Sequence, residues 1–186
     1  MMTFLFRAKF FIVLISIIGG ETSAGDRDIW ILIDTKAQVL NVMRGNAPIK
    51  VFRNIAIGRN GADYDKRVGD DTTPLGSYRI GWINERSRYH RFFGLTYPSM
   101  HDARRALFLS AIDEQTYRAL VRADIHQRVP PQNTALGGEI GIHGLGKGDS
   151  KIHRFLNWTH GCIALTNRQI DGLSRWIKKG TVVTIR

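Results

Sequence analysis

The chain has 186 residues, 43% of them hydrophobic and 23% charged, and 27 Lys and Arg against 16 Asp and Glu give a formal charge of +11. That is one domain's worth of chain with enough apolar content to close a core, and its single Cys excludes a fold stapled by intrachain disulfides. The basic excess favours a polyanionic neighbour, a cell-wall polymer or an anionic membrane surface, ahead of nucleic acid.

In chain order, residues 1–24 read as a secretory signal. Arg7 and Lys9 precede the uncharged run Phe10 to Ile18, and Thr22, Ser23 and Ala24 supply small residues before a cut at Gly25. The run is too short for the roughly 20 apolar residues a bilayer span requires. Export, with no stable membrane span after cleavage, is therefore expected, and the periplasm is the expected compartment. Residues 25–186 should form one domain.

Past Gly25 the first half reads as strand. Ile29 to Ile33 and Val39 to Met43 are apolar runs of strand length about the turn Asp34 to Gln38, and Ile49 to Ile57 follows a second turn at Arg44 to Pro48. An antiparallel meander is the natural reading. Gly58 to Gly61 turns, Gly76 to Ile83 is a further short strand after Thr72, Thr73 and Pro74, and Asn84 to Met100 reads as loop. Helical composition returns at His101 to Leu109 and at Asp113 to Arg128, the second with Asp113 as N-cap. Ile140 to Ile142 reads as a strand delivering His143. Thr166 or Asn167 then caps a helix with Ile170, Leu173, Trp176 and Ile177 on one face and Lys178, Lys179 and Gly180 as its stop, and Thr181 to Ile185 is a last strand. The total is a β-rich α+β domain in which the helices are minor coverings.

The only Cys lies in Trp158-Thr159-His160-Gly161-Cys162-Ile163-Ala164-Leu165, with Gly141-Ile142-His143-Gly144 upstream. A free thiol is a few per cent ionised at neutral pH, but a neighbouring imidazole can take its proton. Gly161 permits a tight bend that turns amides toward a developing oxyanion. On local pattern alone Cys162 is also readable as a small buried hydrophobe, His143 as a core histidine and His160 as a loop residue. His143, His153, His160 and Cys162 could offer nitrogen and sulfur to zinc, but their spacing fits no compact two-plus-two pattern. No metal or cofactor is expected.

These residues resemble the signature of the L,D-transpeptidase catalytic domain, the YkuD domain: a histidine, a spacer, then Ser or Thr, His, Gly, Cys, an apolar residue and usually Arg or Asn. Here fifteen residues separate His143 from Thr159-His160-Gly161-Cys162-Ile163. Gly69 to Tyr78 is similar to the family's GD-x-TP-x-G-x-Y loop, and the likeness extends over nearly all of the chain after Gly25. Ala164 departs from the pattern, at a position expected to touch substrate.

The resemblance implies a YkuD-like fold of mixed β-sheets packed as a sandwich with a few short helices. It implies Cys162 as nucleophile and His143 as general base, with Gly144 steadying the base. The turn from Thr159 through His160 and Gly161 would form the oxyanion hole and its support. Tyr78, Tyr89, Tyr97 and Trp158 become candidates for lining the cleft, although plain core packing is the stronger explanation for each. The activity implied is L,D-transpeptidation of peptidoglycan stem tetrapeptides through a thioester, making 3-3 crosslinks or attaching a protein such as a lipoprotein to the wall. An L,D-carboxypeptidase or amidase, and a non-catalytic peptidoglycan binder, are the alternatives within the same resemblance.

Overall fold

The structure is a computed structural model, and it describes residues 28–186. The segment read as a signal, 1–24, lies outside the described residues. Among those residues no helix is long and apolar enough to cross a membrane.

The expected meander opens the fold. Strands β1 (Ile29–Asp34), β2 (Val39–Arg44) and β3 (Ala47–Arg53) pair antiparallel in sequence order. The two-residue period holds on the inner strands, where Ile31, Ile33, Leu40 and Val42 are fully buried, each such side chain contributing about 1.5–3 kcal/mol of apolar burial. It fails on β3, an edge strand whose Ile49 and Val51 face outward. The third strand also stops at Arg53 instead of running to Ile57. Asn54 takes a positive φ of 57°, a left-handed kink that turns Ile55, Ala56 and Ile57 into the interior.

Two short strands, β4 (Ala62–Asp63) and β5 (Thr73–Pro74), pair in parallel and fold the intervening loop onto itself. Next comes a correction. Residues 84–100 are not mainly loop: β6 (Gly76–Ser87) continues through the charged Asn84 to Ser87 and returns as β7 (His90–Leu95). The hairpin lacks Gly or Asn at its bend, and His90 itself takes the left-handed conformation, φ 75°.

Helices α1 (Met100–Phe108) and α2 (Glu114–Ile125) pack on one another beyond the hairpin. Ser99 and Asp102 form a reciprocal capping box on α1, and Asp113 caps α2 as its sequence predicts. Strand β8 (Gly141–His143) ends on the histidine. Helix α3 (Ser150–Phe155) and strand β9 (Ile163–Ala164) are too brief to leave a periodic signal, and neither is legible in the sequence. Helix α4 (Asn167–Ser174) is capped by Thr166 in a box with Gln169, and buries Ile170 and Leu173. It stops a turn earlier than its apolar spacing suggests, where the Ser174 hydroxyl bonds back to Asp171 O at 2.8 Å, and Ile177 is buried from a turn rather than a helix. Strand β10 (Val182–Ile185) closes the chain.

Eight strands join in one mixed sheet of order β3-β2-β1-β10-β6-β7-β8-β9. Only β1 with β10 and β8 with β9 run parallel. The two ends of that order meet: Ala56, just past β3, exchanges backbone hydrogen bonds of 3.0 and 2.8 Å with Ala164 on β9. The sheet thus curls round a single core, with α4 lying across it. The parallel pair β8–β9 brings the two halves of the His…Cys motif side by side.

Candidate active site

The register of β8 on β9 sets Ile142 opposite Ile163 and His143 opposite Ala164. Cys162 immediately precedes β9, so the same register sets it beside Gly141, whose amide reaches the thiol. Gly141 stands two positions before His143 on β8, an offset of roughly 6–7 Å along the strand direction. Two residues separated in sequence by a helix and a loop are thereby brought to neighbouring backbone.

His143 is 2% exposed, and an aromatic frame fixes its ring. Tyr89 stacks on it at 4.3 Å between centroids, Phe92 lies nearly parallel at 6.0 Å, and Trp158 meets it edge-on at 5.9 Å. Tyr89 carries Arg88 over its other side at 4.7 Å. Nδ1 of His143 donates to Gly144 O at 2.7 Å, which leaves Nε2 as the acceptor nitrogen. Burial lowers the imidazole to about 4; the Gly144 hydrogen bond opposes this, while His153 and Arg88 add to the lowering. At neutral pH the ring is uncharged and able to take a proton.

Gly144 must be glycine. A Cβ there would stand 2.7 Å from Tyr89 O and 2.8 Å from Asn167 Oδ1.

Cys162 is half-buried, and its thiol donates to Glu139 O at 3.5 Å. Burial pushes the thiol up to about 11, against the opposing pull of the Gly141 amide and the Lys66 ammonium. The resting pair is therefore a neutral thiol and a neutral imidazole, and the thiolate must be made in the act of attack.

The turn before the cysteine is held from several sides. Thr159 Oγ1 donates to Cys162 O at 2.7 Å and accepts the Gly161 N–H at 3.2 Å. Thr73, fully buried in the middle of the Gly69–Tyr78 loop, donates to Gly161 O at 3.0 Å and accepts Gly58 N–H at 2.8 Å. The Gly161 amide is thus already engaged. Among the described residues the N–H groups of His160 and Cys162 have no partner, and they are the amides left for an oxyanion.

The remaining sequence candidates fall elsewhere. His160 projects from the rim with its side chain 78% exposed, bonded to Asp71 Oδ1 at 2.6 Å and to Arg59, so its ring ties two loops together and stands apart from His143. Tyr97, expected at the cleft, is 1% exposed with its hydroxyl on Leu136 O at 2.8 Å; core packing, not substrate contact, is its role, and Tyr78 is buried against it. Ala164 is fully buried, and its methyl reaches no surface. Trp158 does border the base, and its indole N–H points to His153 Nδ1 at 3.4 Å. Phe92 and Lys66 were not separable in the sequence from ordinary core and loop residues, whereas Asp70 and Thr73 stood in the Gly69–Tyr78 motif without a role assigned to them.

The solved structures that share the fold include the following three. Pgp2 of Campylobacter jejuni, described as a helical cell shape determining protein, is 23% identical with a TM-score of 0.57 over 87% of this chain and 48% of its own. Bd1075 of Bdellovibrio bacteriovorus is 19% identical with a TM-score of 0.56 over 89% and 50%. An L,D-transpeptidase of Xylanimonas cellulosilytica, residues 123–326, is 15% identical with a TM-score of 0.50 over 89% and 63%. The chain thus spans about half the length of the first two. No curated protein matches it. The family model for the L,D-transpeptidase catalytic domain, YkuD, matches residues 28–185, which is the whole of the described fold but its last residue, and the chain belongs to that family.

Proposed function

We propose that the protein is an exported, periplasmic L,D-transpeptidase that takes peptidoglycan stem tetrapeptides as acyl donors through a thioester on Cys162. The observation that carries the proposal is the β8–β9 pairing, which sets the cysteine turn beside the strand that ends on His143, with Nδ1 committed to Gly144 O and Nε2 left as base.

The step balances without a cofactor. The Cys162 S–H gives its proton to His143 Nε2 while Sγ attacks the carbonyl between the third and fourth stem residues. The N–H groups of His160 and Cys162 receive the oxyanion. The C–N bond breaks, and terminal D-alanine leaves as its amine with the proton from the imidazole. An acceptor amine, from a second stem or a wall-linked protein such as a lipoprotein, then attacks the thioester, returns a proton to the base and restores the thiol. Water in place of the amine would give an L,D-carboxypeptidase or, on a tethered protein, an amidase. Either product alters how the wall is tied together, and hence its shape, the property for which Pgp2 is named.

The test is mass spectrometry of the purified protein incubated with disaccharide tetrapeptide, beside Cys162→Ala. A dimer linked through the third residues, lost in the variant, is the expected result. Shortened monomer alone would reassign the protein as the hydrolase. No change on tetrapeptide or on lipoprotein-bearing wall fragments would leave the non-catalytic binder.

A further inference from the structure

Lys66 is a lysine where lysine is rarely found, 4% exposed. Burying an ammonium is costly unless it is paired. Its Nζ is 2.8 Å from Asp70 Oδ1 and 3.4 Å from Arg67 O. Closing the loop does not explain it, because Asp70 already accepts Arg67 N, Thr72 N at 2.9 Å and Thr72 Oγ1 at 2.9 Å. Three local donors are enough to hold such a turn. What the lysine adds is a charge on the cysteine side of the loop: its Cε lies 3.2 Å from where a Cβ on Gly161 would stand. The absence of a side chain at Gly161 is what lets the lysine stem approach the nucleophile turn.

We infer that Lys66 is an electrostatic partner of the Cys162 nucleophile, its ammonium held by Asp70 so that positive charge faces the sulfur as thiolate develops. The inference rests on the cysteine chemistry proposed above. His143 remains the base. The other charged groups near the turn do not duplicate it. Glu139 opposes it, raising the thiol where Lys66 lowers it. Asp71, Arg59 and His160 neutralise one another at the rim. Arg88 acts on His143 across the Tyr89 ring.

The measurement is alkylation of Cys162 in the full-length protein by iodoacetamide, which is neutral, and iodoacetate, which is anionic, from pH 7 to 9. Wild type is compared with Lys66→Met, Lys66→Gln and Lys66→Arg, and thermal unfolding is recorded for each. Loss of about one unit of thiol acidity lowers the iodoacetamide rate about threefold, since the smaller thiolate fraction is partly offset by higher nucleophilicity. The neutral variants are expected to show at least that fall, together with a reduced iodoacetate-to-iodoacetamide ratio, and Lys66→Arg is expected to restore both. A neutral variant that unfolds at a lower temperature but keeps both rates and their ratio would overturn the inference, as would Lys66→Arg behaving like Lys66→Met. If neither neutral variant unfolds cooperatively, Lys66 is a folding residue and the inference is wrong. The readout is separate from turnover: a Lys66-dependent thiol on a protein that leaves muropeptides untouched would sink the proposed function and spare this inference, and the reverse pattern would do the opposite.

Discussion

Gly161 has a φ of +124°, and a Cβ there would meet Thr72 O at 2.5 Å. Gly161→Ala combines strained backbone with a clash against main chain, and is expected to cost about 1–3 kcal/mol. It should slow alkylation of Cys162 by displacing the turn; a wild-type unfolding temperature with unchanged alkylation would mean that the loop yields freely. His143 makes a second prediction at this scale. Its folded value of about 4 lies below the ordinary 6.5, chiefly through burial. Between those values the unfolded chain holds a proton that the folded chain refuses, so stability rises with pH across the window and is lost as pH falls from 6.5 toward 4. The full shift corresponds to about 3 kcal/mol, and His153, lowered by burial as well, acts in the same direction. His143→Gln should therefore narrow the gap between urea midpoints at pH 4.5 and pH 7. An unchanged gap would place the acid sensitivity elsewhere. Cys162 and His143 could be singled out in the sequence because Cys162 is unique and His143 stands at a strand end. Phe92 could not, because an aromatic residue that frames an imidazole is indistinguishable in sequence from one that fills a core.

The elements divide along a physical line. Where local chemistry decides, the sequence was sufficient: Asp113 and Thr166 cap their helices by side-chain bonds within three residues, and β1 and β2 alternate because each has one buried face. Where tertiary contact decides, it was not. Strand β7 opens on the polar His90 and Arg91 and pairs because β6 and β8 flank it, β9 is two residues long, and α3 is six. The Gly69–Tyr78 loop lies between these cases, since its motif was visible while its function as a strut was not. Thr73 joins Gly58 to Gly161 through one hydroxyl. Thr73→Val keeps the shape, strands a buried N–H, and should cost about 1–3 kcal/mol while lowering turnover more than substrate binding. A variant with intact stability and turnover would remove the loop from the support of the cysteine turn.

At the scale of the molecule, the β-rich class, the opening meander and the few covering helices were legible because hydrophobic period and turn residues express them directly. The sheet's closure was not, since it depends on pairings more than a hundred positions apart, Ala56 with Ala164 and Gly58 with Thr159. That seam lies next to the chemistry: Ala164 bonds Ala56 on one side and faces His143 on the other. Contacts so distant in sequence form late, after local turns and hairpins have paid little loop entropy for theirs. A chain that has built its strands and helices but not joined its two edges leaves Ala164 bonded on one side alone, so the strand that follows Cys162 is clamped from both sides only in a molecule that has finished folding.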